Sequence, residues 1–596
     1  MSDAGPLALV PIVFGLSAFG PGYRLVRRAG WPPLETAVAG LALSVLLVGQ
    51  ASFVIGLLWL PAVWRVLLLV ACAAATIASV PEVVRLVRSD AGARTALVWF
   101  AILAVWGVGL QACVRNYSGG NIVYDWLDHY ERSKFFLGFQ PTDKLFSGAL
   151  LPARPPLMNA FAAQILALTR PRFPCYQMTA ALLGLLAYFP MLLVARLFSA
   201  SRGLPRILAV VLMFQPMFLQ NVSYSWTRMT AVFFTLSAIG FYVSGWRAGD
   251  GRRTLMAFAC GAGAILTHYS SAPYVLFLAL HFLLFALPRR PRPFRELAAI
   301  VVAATLVLLP WLAWASAVYG RETVVSAGLR SSGKPLPTFG ANVLKAALNL
   351  RDTFVPPLLR DVPHDPEQQS WGWGRIRDEA FLMYQGNLPL ALGSLAALFL
   401  ATEALRAWRR RRAAERAGAG RASEPERGPP ADSWRFWVSL AAFVILTGIG
   451  VQGGRDPFGL AHTAQQPLVM IGVSFLAARF GTWLRWQRLL AAAGLLLDAL
   501  LGVLLQFWLQ SYSLDLPSNW RGPLGLTFKD LTRMMATWNW GEKVSGRHLF
   551  VADAIGGIGW VLLPVLALLF AVAAATLLRQ ASRRATSSPH ATTNPG

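Results

Sequence analysis

The chain has 596 residues, of which 56% are hydrophobic and only 14% charged, whereas soluble domains carry about 25% charged residues; it cannot cover a water-facing surface with its own polar groups. The net charge of +26 is not a nucleic-acid footprint, because the arginines come in short clusters between apolar runs, as the charge rule for membrane topology requires. The bilayer is the solvent for much of this chain, and membrane lipids are its first partners.

A hydrocarbon core of about 30 Å takes roughly 20 apolar residues per helix. About fifteen spans are predicted, near 6–23, 36–56, 62–81, 95–113, 176–195, 207–221, 227–245, 254–270, 272–288, 298–318, 386–405, 436–453, 466–482, 489–507 and 556–578. The fold class is an all-α polytopic membrane protein. The positive charges Arg24, Arg27 and Arg28 follow the first apolar run, the reverse of a cleavable signal.

Alternate loops carry the arginines. One set holds Arg24/Arg27/Arg28, Arg85/Arg88/Arg94, Arg196/Arg202/Arg206, Arg247/Arg252/Arg253 and Arg289/Arg290/Arg292/Arg295. It continues with the Arg409–Arg412 run, Arg479/Arg485/Arg488 and Arg579/Arg583/Arg584. That set is predicted to face the cytoplasm. The opposite set contains the long loops 114–175, 319–385 and 508–555, and sixteen of the 28 acidic residues lie in outer loops after the fourth span. Functional groups are expected there, in irregular backbone shielded from lipid. Segment 406–435, rich in Arg, Ala, Gly and Pro, reads as a flexible cytoplasmic linker. The chain divides into N-terminal spans 1–94, a core 95–318, the outer loop 319–385 and C-terminal spans 386–596. Cys72, Cys113, Cys175 and Cys260 follow no metal or disulfide spacing and read as small packing residues. The abundance of arginine over lysine fits a bacterial plasma (inner) membrane.

The first long outer loop carries the chemistry. It runs NYSGGNIVYDWLDHYERSKFFLG from Asn116 and reaches LPARPPLMNAF from Leu151. Asp125, Asp128 and Arg132 recur at spacings of three and four and share one face of a short amphipathic helix, with Trp126, Phe135 and Phe136 directed at the membrane interface. Asp125, Asp128, Glu131 and Asp143 concentrate four carboxylates just after a span.

Transfer of a sugar from a glycosyl phosphate suits such a loop. The sugar passes through an oxocarbenium-like state, a carboxylate takes the proton of the attacking hydroxyl, and a cation receives the leaving phosphate. Asp125 and Arg154 are candidates for those roles, with Asp128 the alternative base. Asp125 otherwise reads as a helix cap, Asp128 as the partner of Arg132, Glu131 as an exposed ion pair and Arg154 as an interfacial anchor. His129 reads as a site or packing residue.

With these motifs the chain resembles the GT-C class of polyprenyl-phosphate-dependent glycosyltransferases, which includes protein O-mannosyltransferases and the aminoarabinose transferases of lipid A. In that class an acidic motif after a membrane helix is followed about thirty residues later by a basic-Pro-Pro-Leu motif. Here YDWLDHYE precedes Arg154-Pro155-Pro156-Leu157, with Asp125 and Arg154 29 positions apart. LTHYSSAPYVLFL (Leu266–Leu278) sits where relatives carry "LTK", so His268 stands at the position of a phosphate-contacting lysine. The resemblance is clearest over 95–290 and loose at RDPFGLAHTAQQPLVMIG (Arg455–Gly472). Two acids separated by two residues replace the usual adjacent pair, which leaves the identity of the base open. The resemblance implies a GT-C-like bundle, a polyprenyl-phosphate sugar as donor, an acceptor hydroxyl on a glycan, lipid or protein, inversion at the anomeric carbon, and a site on the outer, periplasmic face. Arg154, His268 and Arg228 are the candidate phosphate contacts, and His129, Glu131, Arg455 and His462 candidate substrate contacts. No cofactor is required by the sequence; the acids suit a divalent cation, which some relatives use, but no spacing demands it. A lipid-linked glycan flippase or other transporter is the main rival, although no internal repeat supports it. A glycan polymerase or ligase is the second rival. Asp498, inside a predicted span, reads as an interhelix hydrogen-bonding group.

Overall fold

The computed structural model describes residues 4–114, 125–139, 141–146, 149–330, 338–356, 359, 383–416, 434–451, 464–503, 550–556 and 558–582. The chain is an all-α polytopic membrane protein; among the described residues the one β feature is an isolated bridge between Phe146 and Ala149. Five helices come first: α1 (Ala4–Ala18), α2 (Gly20–Val26), α3 (Pro33–Leu57), α4 (Val63–Ser89) and α5 (Ala91–Leu110). The short helices α6 (Asp125–Gly138) and α7 (Leu157–Leu168) follow. Then come α8 (Phe173–Leu185), α9 (Tyr188–Arg196), α10 (Leu204–Phe214), α11 (Pro216–Ser223), α12 (Arg228–Ala248), α13 (Gly251–Thr267), α14 (Ala272–His281) and α15 (Pro293–Tyr319). The remainder is α16 (Arg321–Arg330), α17 (Phe339–Phe354), α18 (Leu388–Leu392), α19 (Ser394–Arg416), α20 (Trp434–Val451), α21 (Gln465–Arg479), α22 (Arg485–Val503), α23 (Val551–Ile555) and α24 (Ile558–Ser582).

Among the described residues, 10 helices are long and apolar enough to cross a membrane, or up to 11 if the bent pair α10–α11 is one span. That is fewer than the apolar runs of the sequence. Several runs fold into shorter pieces: 254–270 becomes the 17-residue α13 and 466–482 the 15-residue α21. The run 207–221 bends by 73° between Phe214 and Pro216. Pro216 lacks the N–H that would continue α10, and the Gln215 side chain caps α11 by accepting from Phe218 N.

The arginine-rich helix ends meet one another. Arg27 of the turn after α2 pairs with Glu82 of α4. Arg253 at the start of α13 holds Glu35 at the start of α3 at 2.6 Å and Asp250 at 3.0 Å. Arg290 lies 3.5 Å from Glu296, and Arg479 3.6 Å from Glu403. These pairs gather residues of the arginine-bearing loops at one end of the bundle.

The N-terminal helices brace the loop region. Arg65, at the start of α4, is buried; it donates to Ser52 Oγ at 2.8 Å and to the Phe136 carbonyl of α6 at 2.9 Å. Gln164 Nε2 of α7 donates to the Arg65 carbonyl at 2.8 Å. Close approach needs glycine here: a Cβ on Gly22 would collide with the carbonyl of Gly40, and one on Gly40 would lie 3.0 Å from Tyr23 Cα. Gly22→Val is therefore expected to destabilise the protein by about 1–3 kcal/mol by overpacking the α2–α3 crossing, measured as a lowered unfolding midpoint in detergent micelles; an unchanged midpoint would mean the two helices separate without penalty.

Trp126, Phe135 and Phe136 do not enter the membrane interface. They are buried, Trp126 against Phe173 and Phe550 with ring centroids 4.8 and 5.6 Å away. Phe136 joins Phe53, Phe139 and Trp311, and Phe135 joins Trp314. An amphipathic pattern records an apolar face, but lipid and protein core satisfy it equally.

Candidate functional site

Helix α6 starts at Asp125. Only the backbone of Asp125 is described. One turn on, Asp128 Oδ2 accepts from Arg132 Nε at 2.8 Å, an i,i+4 pair with both side chains buried. Arg132 Nη1 also donates to the Leu151 carbonyl at 2.6 Å, and its guanidinium sits 4.7 Å over the Phe146 ring. These contacts make Arg132 a strut between α6 and the loop after it.

Glu131 is not an exposed pair. Its carboxylate is 3% exposed, held by Lys134 at 3.1 Å and by Lys144 at 2.8 Å. The second lysine comes from the loop folding back, a contact that helical spacing does not reveal. His129 is buried, and its carbonyl accepts from Ser133 Oγ at 2.8 Å.

The segment Leu151–Ala153 forms one 3-10 turn, followed by Arg154 in extended backbone. Pro155 and Pro156 delay the helix, which starts at Leu157 with Pro156 as its cap. Arg154 is half-buried at the exit of the turn. From the other side, Tyr269 Oη donates to the Pro152 carbonyl at 3.2 Å. Tyr269 also lies within electrostatic reach of both Arg132 and Arg154. His268 caps α13, and its Nδ1 accepts from Ser270 N at 3.3 Å and faces Ser270 Oγ at 2.9 Å. Three segments singled out in the sequence thus meet at one turn: the acidic helix, the basic-Pro-Pro-Leu motif and the residues after α13.

Polar atoms at this junction are left over. Asp128 Oδ1, Asn159 Nδ2 and Tyr319 Oη are buried and make no hydrogen bond. Asn159 approaches α6 through Ser133 Oγ at 3.4 Å, and Tyr319 is within electrostatic reach of Arg132 and Asp143. Buried polar groups are nearly always paired, so these three atoms are exceptions within the junction. Among the described residues no group of three His, Cys, Asp or Glu comes together as a cation site.

Arg228 opens α12 and is buried, with Nη1 donating to Gln385 Oε1 at 2.9 Å and the Trp226 ring 3.4 Å from its guanidinium carbon. It belongs to a glutamine cluster described below. Two residues further along α12, Thr230 Oγ1 lies 3.6 Å from Met158 Sδ at the start of α7. Arg455 and His462 lie outside the described residues, as do 360–382 and 504–549. Asp498 is buried on α22 near Tyr384. Burial, reinforced by the Asp498 charge, pushes the Tyr384 phenol up from its ordinary value.

Sequence reading missed Tyr269, Tyr319, Asn159 and the glutamines as members of polar sites. Tyr269 had a signal, standing next to His268 in LTHYSSAPY. The glutamines had a weaker one: amides inside apolar runs are costly unless they find partners.

No family model matches the chain, and no curated protein matches it closely. Among solved structures it is similar to the crystal structure of ArnT from Cupriavidus metallidurans bound to undecaprenyl phosphate, at 15% identity and a TM-score of 0.42, covering 81% of this chain and 77% of that one. It is also similar to the apo state of the same protein, at 16% identity and a TM-score of 0.32, covering 65% of this chain and 78% of that one.

Proposed function

We propose that this chain is a membrane glycosyltransferase that moves a sugar from a polyprenyl-phosphate carrier to an acceptor hydroxyl on the outer face of the membrane. The observation that carries this reading is the junction at Leu151–Ala153. There Arg132 of the acidic helix and Tyr269, beside His268, bond to adjacent carbonyls just before Arg154. Such a junction brings the carboxylate-bearing helix and the Arg154 guanidinium to one region, away from the arginine-rich end of the bundle.

In the reaction the acceptor oxygen attacks the anomeric carbon opposite the phosphate. The new C–O bond forms as the carbon–phosphate oxygen bond breaks, and the configuration inverts. Asp125 takes the acceptor proton. The leaving phosphate gains charge, and Arg154 receives it through its planar guanidinium. Glu131, neutralised by two lysines, and Asp128, neutralised by Arg132, hold α6 in place. The arginine-rich end faces the cytoplasm by the charge rule, which puts the junction outside the cell.

Purified protein reconstituted with a panel of polyprenyl-phosphate sugars and an acceptor extract tests the reading through release of free polyprenyl phosphate. One donor is expected to be consumed by wild type, and at least about tenfold more slowly by Arg154→Ala, since charge-assisted phosphate contacts are worth more than about 1.4 kcal/mol. If wild type consumes no donor yet moves a labelled lipid-linked sugar between leaflets, the chain is a flippase.

A further inference from the structure

A second polar cluster lies inside the bundle, built from neutral amides. Gln385 is its centre. Its Oε1 accepts from Arg228 Nη1 at 2.9 Å and from Gln466 Nε2 at 3.1 Å, and its Nε2 donates to Gln220 Oε1. Its carbonyl accepts from Gln465 Nε2 at 3.1 Å. These glutamines are 0–1% exposed.

The cluster is incomplete. Tyr384 Oη, Asn387 Nδ2, Gln465 Oε1, Gln466 Oε1 and Thr227 Oγ1 are all buried and make no hydrogen bond. Every one of them belongs to a residue that bonds Gln385 or is next or second-next in sequence to Gln385 or Arg228. Unpaired buried polar atoms are uncommon in native proteins, and each is destabilising when left dry. Five such atoms, on residues that bond Gln385 or stand beside it or Arg228 in the chain, call for a guest that both donates and accepts. Hydroxyl groups do both, whereas a phosphate only accepts at neutral pH and an ammonium only donates. The charges present point the same way: Arg228 disfavours a cation, and Asp498 near Tyr384 disfavours an anion.

Two contacts link the elements that carry the cluster to those that carry the proposed reaction site. Thr230, two residues into α12 from Arg228, contacts Met158 of α7. Tyr274 Oη, five residues beyond Tyr269, donates to the carbonyl of Ala464, the residue before Gln465. We infer that the Gln385 cluster is the subsite that reads the hydroxyls of an uncharged sugar, with the unpaired oxygens and amide of Thr227, Tyr384, Asn387, Gln465 and Gln466 as its contacts. The inference rests on the glycosyl-transfer reading, since it assigns the sugar end of that donor. A site built to bond hydroxyls loses strongly when one contact is removed.

The test compares binding of undecaprenyl phosphate carrying a neutral hexose with binding of bare undecaprenyl phosphate, for wild type, Tyr384→Phe and Gln466→Leu in micelles. Tyr384→Phe removes a hydroxyl that holds nothing within the protein, so folding is expected to be unchanged. It is expected to weaken the hexose-bearing lipid about tenfold and leave the bare lipid unaltered, with Gln466→Leu acting in the same direction. Unchanged affinity for the hexose-bearing lipid in a folded Tyr384→Phe would overturn the inference and assign the cluster to buried water. Equal weakening for both lipids would overturn it in favour of a carrier-phosphate site. Preference of wild type for a carrier bearing an amino sugar or uronic acid would overturn the uncharged-sugar assignment. If wild type binds neither lipid, the glycosyl-transfer reading fails and the subsite falls with it.

Discussion

Arg132→Met is expected to destabilise the folded protein by about 3–5 kcal/mol, the usual effect of removing one member of a buried ion pair. The structure gives the reason. Arg132 is 1% exposed and neutralises Asp128, which is 6% exposed, so its loss strands a carboxylate in a low-dielectric interior. It also removes the 2.6 Å bond to the Leu151 carbonyl, leaving that turn unsupported from the acidic helix. The double variant Asp128→Leu/Arg132→Met is expected to recover much of the loss, because a pair of apolar residues of similar volume is often tolerated as well as the pair it replaces. Asp128 Oδ1 already lacks a partner, which lowers what the pair contributes. Denaturant midpoints in micelles measure both variants. A double variant as unstable as Arg132→Met would show that the arginine acts through the Leu151 carbonyl rather than through the acid.

Turnover separates the two acids. Asp125→Asn is expected to slow donor consumption by about 10²–10⁴, the range for loss of a positioned general base, with folded yield near wild type. Asp128→Asn is expected to act mainly on folded yield, since its carboxylate serves Arg132. Donor release at equal folded protein decides between them. If Asp125→Asn retains full turnover while Asp128→Asn is dead, the base is Asp128, and its unpaired Oδ1 is the atom that takes the proton.

Parts of this architecture were legible from composition and local spacing. The Asp128–Arg132 pair follows from an interval of four on a helix. The gathering of arginine-bearing ends follows from charge in alternate loops. Contacts between distant segments were not legible. Glu131 was read as exposed because its second lysine, Lys144, lies in a loop whose path no periodicity describes. Trp126, Phe135 and Phe136 were assigned to the membrane interface because lipid and protein core ask for the same residues. The bend at Gln215 depends on a side-chain cap, and Gln385 draws partners from α11, α12 and α21 that are separated by 80 to 165 positions. The turn at Leu151 shows the middle case. Its two prolines were visible, but the two bonds that tie it to α6 and to Tyr269 were not.

The pair between Glu35 and Arg253 spans 218 positions, and that interval is also a time. At about 5–20 residues per second of synthesis, the ribosome takes roughly 10–40 s to make Arg253 after Glu35. Through that interval the start of α3 sits at the membrane surface with its acid unmatched by its eventual partner. The N-terminal helices have the Arg27–Glu82 pair among themselves by then, but their tie to α13 waits until Arg253 is made. A chain ended before α13 would leave Glu35 permanently without the partner that Arg253 provides.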